Sequence, residues 1–129
     1  MTNYNPIKIL LVDDDAVTNF IVSRKLSKLG IENIDAVENG AEALEYLENN
    51  EPNVIFLDIN MPIMDGHEFM LEYKKRELSE EVKVFILSSS DRTCDKNKFL
   101  NFANVLDYIE KPLELENIKK AFKMIELVF

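Results

Sequence analysis

The chain has 129 residues and a single cysteine, Cys94, so no disulfide can form within it. One thiol with no activating neighbour is what a reduced protein carries, and a disulfide framework is excluded. Positive charge is scarce as well: 15 Lys and Arg stand against 24 Asp and Glu, a net charge of −9. Binding to a nucleic-acid backbone depends on Lys and Arg displacing counterions, and attraction to an anionic membrane surface depends on the same residues. Neither partner is expected. The N-terminus, MTNYNPIK, lacks the basic region and apolar run of a secretion signal. No apolar stretch approaches the ~20 residues of a membrane span. These absences predict a soluble, cytoplasmic protein. There is also no linker and no low-complexity tract, so the chain is expected to be one domain over residues 1–129.

What is present is a regular alternation. Short, mostly β-branched apolar runs occur at Ile7–Val12, Ile34–Val37, Val54–Leu57, Val82–Leu87 and Val105–Ile109. Such runs read as strands buried on both faces. Amphipathic stretches separate them. Val17, Phe20, Ile21, Leu26 and Leu29 mark a first helix closed by Gly30, and Ala43, Leu44 and Leu47 a second. Phe69, Met70 and Tyr73 mark a third, Phe99, Phe102 and Ala103 a fourth, and Leu115, Ile118, Phe122 and Ile125 a fifth. Five strand–helix units with right-handed crossovers predict a flavodoxin-like, doubly wound parallel sheet, (βα)5, with strand order 2-1-3-4-5. In such sheets ligands bind beyond the carboxyl ends of the strands.

Those ends carry the chemistry. The first strand runs into Asp13-Asp14-Asp15, the third into Asp58, the fourth into Ser88-Ser89-Ser90 and the fifth into Lys111-Pro112. Crowded carboxylates repel one another unless a proton or a cation intervenes. Hard oxygen donors suit Mg²⁺. A lysine and a hydroxyl beside them suit phosphoryl oxygens. Taken alone, Asp15 reads as a helix N-cap. His67, the one histidine, reads as a solvated helix residue, and Met61 and Met64 as packing side chains.

In this order and spacing the motifs resemble the receiver domain of two-component response regulators, over nearly the whole chain from Lys8 to about Leu127. The matching residues are the acidic pair Asp13 and Asp14, the D-x-x-M-P-x-M-D-G run from Asp58 to Gly66, Ser88, Tyr108 and Lys111-Pro112. The Gly-Ala usual before the fifth strand is replaced by Asn104-Val105-Leu106-Asp107, so 91–104 is the poorest match.

The resemblance implies that Asp58 accepts a phosphoryl group from a sensor histidine kinase or a histidine phosphotransfer protein. It implies Mg²⁺ held by Asp14, Asp58 and the backbone carbonyl of Asn60, with Asp13 acting through water. Lys111 would pair with Asp58 and then with a phosphoryl oxygen. Ser88, with Ser89 as the alternative, would be the switch hydroxyl and Tyr108 the switch aromatic; the Lys111–Pro112 bond would be cis. The output would be a changed protein-interaction surface for an unidentified target. No effector pattern lies within these residues, so the chain would be a stand-alone receiver if it is complete, and the output would lie elsewhere if it is part of a longer regulator. In either case it would be a signalling phosphoacceptor rather than an enzyme.

Two other readings compete. Asp13-x-Asp15-x-Val17 also fits the first motif of haloacid-dehalogenase-type phosphatases, but the later acidic metal pair and a cap are missing and Asp58 is left without a role. A receiver-like binding module that takes no phosphate is disfavoured because acceptor, acidic pair and lysine are all present.

Overall fold

A computed structural model describes residues 7–89 and 97–128. Five strands form one parallel sheet in the order β2-β1-β3-β4-β5: β1 Ile9–Val12, β2 Ile34–Val37, β3 Val54–Asp58, β4 Lys83–Ser88 and β5 Val105–Glu110. The helices are α1 Ala16–Ser27, α2 Gly40–Leu47, α3 Gly66–Lys75 and the C-terminal α4 Leu115–Val128. The expected helix around Phe99 falls partly on 90–96, outside the described residues. The described part that follows is a turn closed by Leu100 N–H to Asn97 O and Phe102 N–H to Phe99 O.

Alternation along the strands builds two cores. Ile9, Leu11, Val54, Phe56, Phe85, Leu87 and Ile109 face α1 and α4, meeting Val22, Leu26, Ile118, Phe122 and Ile125. Leu10, Val12, Ile55, Leu57, Val84 and Ile86 face the other way, onto Ala43, Leu44, Phe69, Met70 and Tyr73 of α2 and α3. Both rows on β1, β3 and β4 are apolar, which is why these strands read as continuous hydrophobic runs. Phe56 and Phe85 stack across β3 and β4 with ring centroids 5.7 Å apart.

Local chemistry sets the helix ends. Asp15 caps α1, accepting from Val17 N–H at 3.0 Å and from the Thr18 hydroxyl at 2.9 Å. Asp65 and Glu68 form a reciprocal capping box at the start of α3. At the far end of α1, Gly30 takes a left-handed φ of 86°. Its N–H reaches Ser27 O and that of Ile31 reaches Leu26 O, a Schellman closure.

The apolar face expected for α1 is corrected by the structure. Val17, Phe20 and Ile21 are exposed, and the residues turned inward are Asn19, Val22 and Leu26. The spacing of the buried set is still helical; the error was to count Phe20 and Ile21 as core and to pass over a buried asparagine.

Phe56 is fully buried beneath the strand tip that carries Asp58. Phe56→Ala is expected to cost about 3–5 kcal/mol of stability in urea unfolding, because the stacked partner Phe85 cannot fill the void.

Candidate functional site

The strand register assembles the site. Val12 pairs with Leu57, so Asp13 and Asp58 stand side by side one step further along β1 and β3. Asp13 continues the Ile9–Leu11 row, Asp58 the Val54–Phe56 row, and Lys111 lies two residues beyond Ile109. All three positions therefore belong to the face packed on α1 and α4. Asp14, at the turn into α1, is exposed.

Carboxylate oxygens of Asp13, Asp14 and Asp58 lie within 4.8 Å of one another. Lys111 Nζ sits 2.8 Å from Asp13 Oδ2 and 3.3 Å from Asp58 Oδ1. Asp13 and Asp58 are buried, so this is charge held out of water. Three carboxylates against one ammonium leave two negative charges in excess, the charge of one divalent cation. Asp13 Oδ2 is buried and makes no hydrogen bond of good alignment, although Lys111 is close enough for an ion pair. A cluster of carboxylate oxygens carrying this excess charge fits a hard cation.

The electrostatics follow from burial. Desolvation pushes the Asp58 carboxyl above the usual range, the Asp13 charge pushes the same way, and Lys111 opposes both. For Lys111 burial is the largest single influence and lowers the value. Its contacts with Asp13 and Asp58 together outweigh it, so the ammonium is held charged. Hydrogen bonds from Thr18 and from Val17 N–H lower Asp15. That carboxylate is engaged as a cap, the role its position alone suggested.

The remaining residues fall as follows. Ser88 is the last residue of β4, one beyond the expected end, and its carbonyl accepts from Lys111 N–H at 2.7 Å. Ser89 follows it and lines a cleft of about 220 Å³ with Thr18, Leu87, Lys111 and Pro112. The Lys111–Pro112 peptide is cis. Tyr108 sits opposite Ile86 on the other face of the sheet, half-buried, with its ring 6.3 Å from that of Phe99. A register shift between Val84 and Phe85 sets this phase of β5. Asn60 is exposed in the loop after β3, and its expected role rests on its backbone carbonyl.

His67 is not the solvated residue expected: its ring meets Phe99 edge-on at 5.7 Å and Phe102 at 6.3 Å. Met64 packs over Gly40 at the start of α2, as a packing methionine should. Gly66 is pressed against the strand tip, where an added Cβ would lie 2.5 Å from the Asp58 carbonyl oxygen and 3.0 Å from Ile59 Cα. Sequence reasoning missed Asn19, whose side-chain amide reaches the Asp13 carbonyl.

A comparison with protein families matches residues 9–123 to the response regulator receiver domain. The chain belongs to this family. Response regulator MprA of Mycobacterium sp. (strain KMS) is 32% identical over 113 residues, 88% of this chain and 47% of that protein. The chain thus spans about half the length of that relative. Protein PilG of Pseudomonas aeruginosa is 31% identical over 117 residues, covering 91% of this chain and 85% of that one. Among solved structures, a two-component response regulator from Legionella pneumophila superposes with a TM-score of 0.81 at 29% identity, covering 93% of this chain and 98% of that chain. TrrA of Thermotoga maritima, solved in complex with Mg²⁺–BeF, gives 0.78 at 26% identity, covering 92% and 98%. Among the described residues of this receiver, no helix is long and apolar enough to cross a membrane.

Two outcomes test the site. A raised Asp58 pKa means that the ionised group is disfavoured in the fold. Its contribution to stability is complete below the unfolded-chain value and is lost as pH rises through the folded value. Asp58→Asn is therefore expected to raise the melting temperature by a few degrees at pH 7 without divalent cations. The gain should shrink as pH falls below the carboxylate range, a trend that thermal scans across pH would follow. Gly66→Ala is expected to destabilise by about 1–3 kcal/mol, as overpacking against backbone does. It should also displace the Asp58 and Ile59 amide resonances more than those of β2.

Proposed function

We propose that this receiver takes a phosphoryl group onto Asp58 from a phosphohistidine, carried by a sensor histidine kinase or a histidine phosphotransfer protein. The observation that carries the reading is the buried Asp13–Asp58–Lys111 cluster with Asp14 at its rim. An Asp58 oxygen attacks phosphorus while the phosphorus–nitrogen bond to the donor imidazole breaks, leaving an acyl phosphate. The rigid strand tip supplies orientation: Asp58 has Phe56 below it and Gly66 against its carbonyl, so little motion remains to be frozen. Lys111 exchanges its contact with Asp58 for one with a phosphoryl oxygen.

The donor set fits Mg²⁺, with Asp14, Asp58 and the Asn60 carbonyl as ligands and Asp13 acting through water. Bound there, the ion would neutralise charge on the phosphoryl oxygens. TrrA, the structural neighbour solved with Mg²⁺–BeF, supports this choice of ion.

The new charge is then read locally. Ser88 donates its hydroxyl to the phosphoryl group, Tyr108 follows inward, and the face around β5 and α4 changes for a downstream protein. On this reading the chain assists its own phosphotransfer and dephosphorylation and turns over no external substrate.

Incubation with a small-molecule phosphodonor and Mg²⁺, followed by intact mass measurement, tests the proposal. The expected result is one acid-stable, base-labile phosphoryl group, absent without Mg²⁺ and absent in Asp58→Ala. If beryllofluoride with Mg²⁺ also leaves the Ser88 and Tyr108 resonances unmoved, phosphate plays no part in the function.

A further inference from the structure

Asn19 is a polar side chain where α1 turns its face to the sheet, flanked along that face by Val22 and Leu26. Only 7% of its surface is exposed. Asparagine is a poor residue for a helix interior, and burying its amide is unfavourable unless it is hydrogen-bonded. The bond it makes is specific: Nδ2 donates to the Asp13 carbonyl at 2.9 Å. The helix secures Asn19 in turn. Its backbone N–H reaches Asp15 O at 3.0 Å, and its carbonyl accepts from the Ser23 hydroxyl at 2.8 Å.

The other polar atoms of Asp13 are equally constrained. Its N–H donates to Val37 O at 3.1 Å, and its Oδ1 accepts from Asp15 N–H at 2.9 Å. With the carbonyl held by Asn19, the one Asp13 oxygen without a well-aligned hydrogen bond is Oδ2, the atom beside Lys111. The peptide that Asn19 grips is the one joining Asp13 to Asp14. A single side chain thus fixes the plane between two of the three carboxylates in the cluster.

From this arrangement we infer that Asn19 is a positioning residue for cation binding. It orients the Asp13–Asp14 peptide so that Asp14 faces the ion directly and Asp13 faces it through water, and it touches neither the ion nor the phosphoryl group. Partners that orient ligands in this way commonly change metal affinity by about ten-fold or more when removed. The inference rests on the cation reading of the acidic cluster.

Mg²⁺ titration followed by the amide resonances of Asp13, Asp14 and Asp58 tests it, alongside thermal unfolding without Mg²⁺. Asn19→Leu keeps a side chain of similar size and removes the donor. Its dissociation constant for Mg²⁺ is expected to rise by about ten-fold. Val22→Ala, one turn along the same buried face, should lower the melting temperature yet bind Mg²⁺ like the parent. If Asn19→Leu fails to fold, Asn19→Ser serves instead, since its hydroxyl is too short to reach the Asp13 carbonyl. Asn19 variants that bind within two-fold of the parent, or a Val22→Ala variant weakened by the same factor, would overturn the positioning role alone. A parent protein that binds no Mg²⁺ would overturn the cation reading and the inference together.

Discussion

Two buried carboxylates held against one ammonium, with a third carboxylate at their exposed rim, are the constraint around which this molecule is arranged. Like charges at such separations do not stay together unaided, and burial raises the cost. The fold meets that cost with rigid backbone rather than with more positive charge. Asp13 and Asp58 sit at the tips of adjacent parallel strands, β1 and β3, whose preceding residues are all buried. Lys111 enters from β5, tied to β4 through its N–H and the Ser88 carbonyl. Repulsion that would spread a flexible loop is borne here by the sheet.

The helices complete the frame. α1 holds the acidic side through Asn19 and also reaches the lysine side, because Lys25 Nζ donates to Leu113 O at 2.9 Å just after Pro112. α3 presses Gly66 against the Asp58 carbonyl. Two helices on opposite faces of the sheet therefore brace a single pocket. This explains why residues remote from the chemistry in sequence are fixed by it in space.

The sheet and most of the cluster were legible in the sequence because burial on both faces leaves an unambiguous apolar run. The first polar residue after such a run marks a strand tip, and Asp13 and Asp58 were found in that way, whereas Lys111 stands one residue past Glu110 and was found through its Lys-Pro pair. The period of two then places all three on one face. Less legible was α1, where apolar and polar residues alternate in small groups. Val17, Phe20 and Ile21 suggested a core stripe, whereas the buried set includes Asn19. Hydrophobicity cannot identify a buried amide whose partner is a backbone carbonyl. His67 was misread for a related reason: its packing depends on Phe99 and Phe102, more than thirty residues away in sequence.

The loop between Asp58 and α3 has its own geometry. Gly66 N–H reaches back to Ile59 O at 2.8 Å, so the segment is drawn together at its neck. At its tip Ile63 is 82% exposed with a φ of 70°, a backbone shape that β-branched residues seldom take. The closed neck separates Asp58 from whatever the tip carries. A dye or spin label in place of Ile63 could thus ride on the loop that follows Asp58 and sense an approaching protein, while the strand beneath keeps its place.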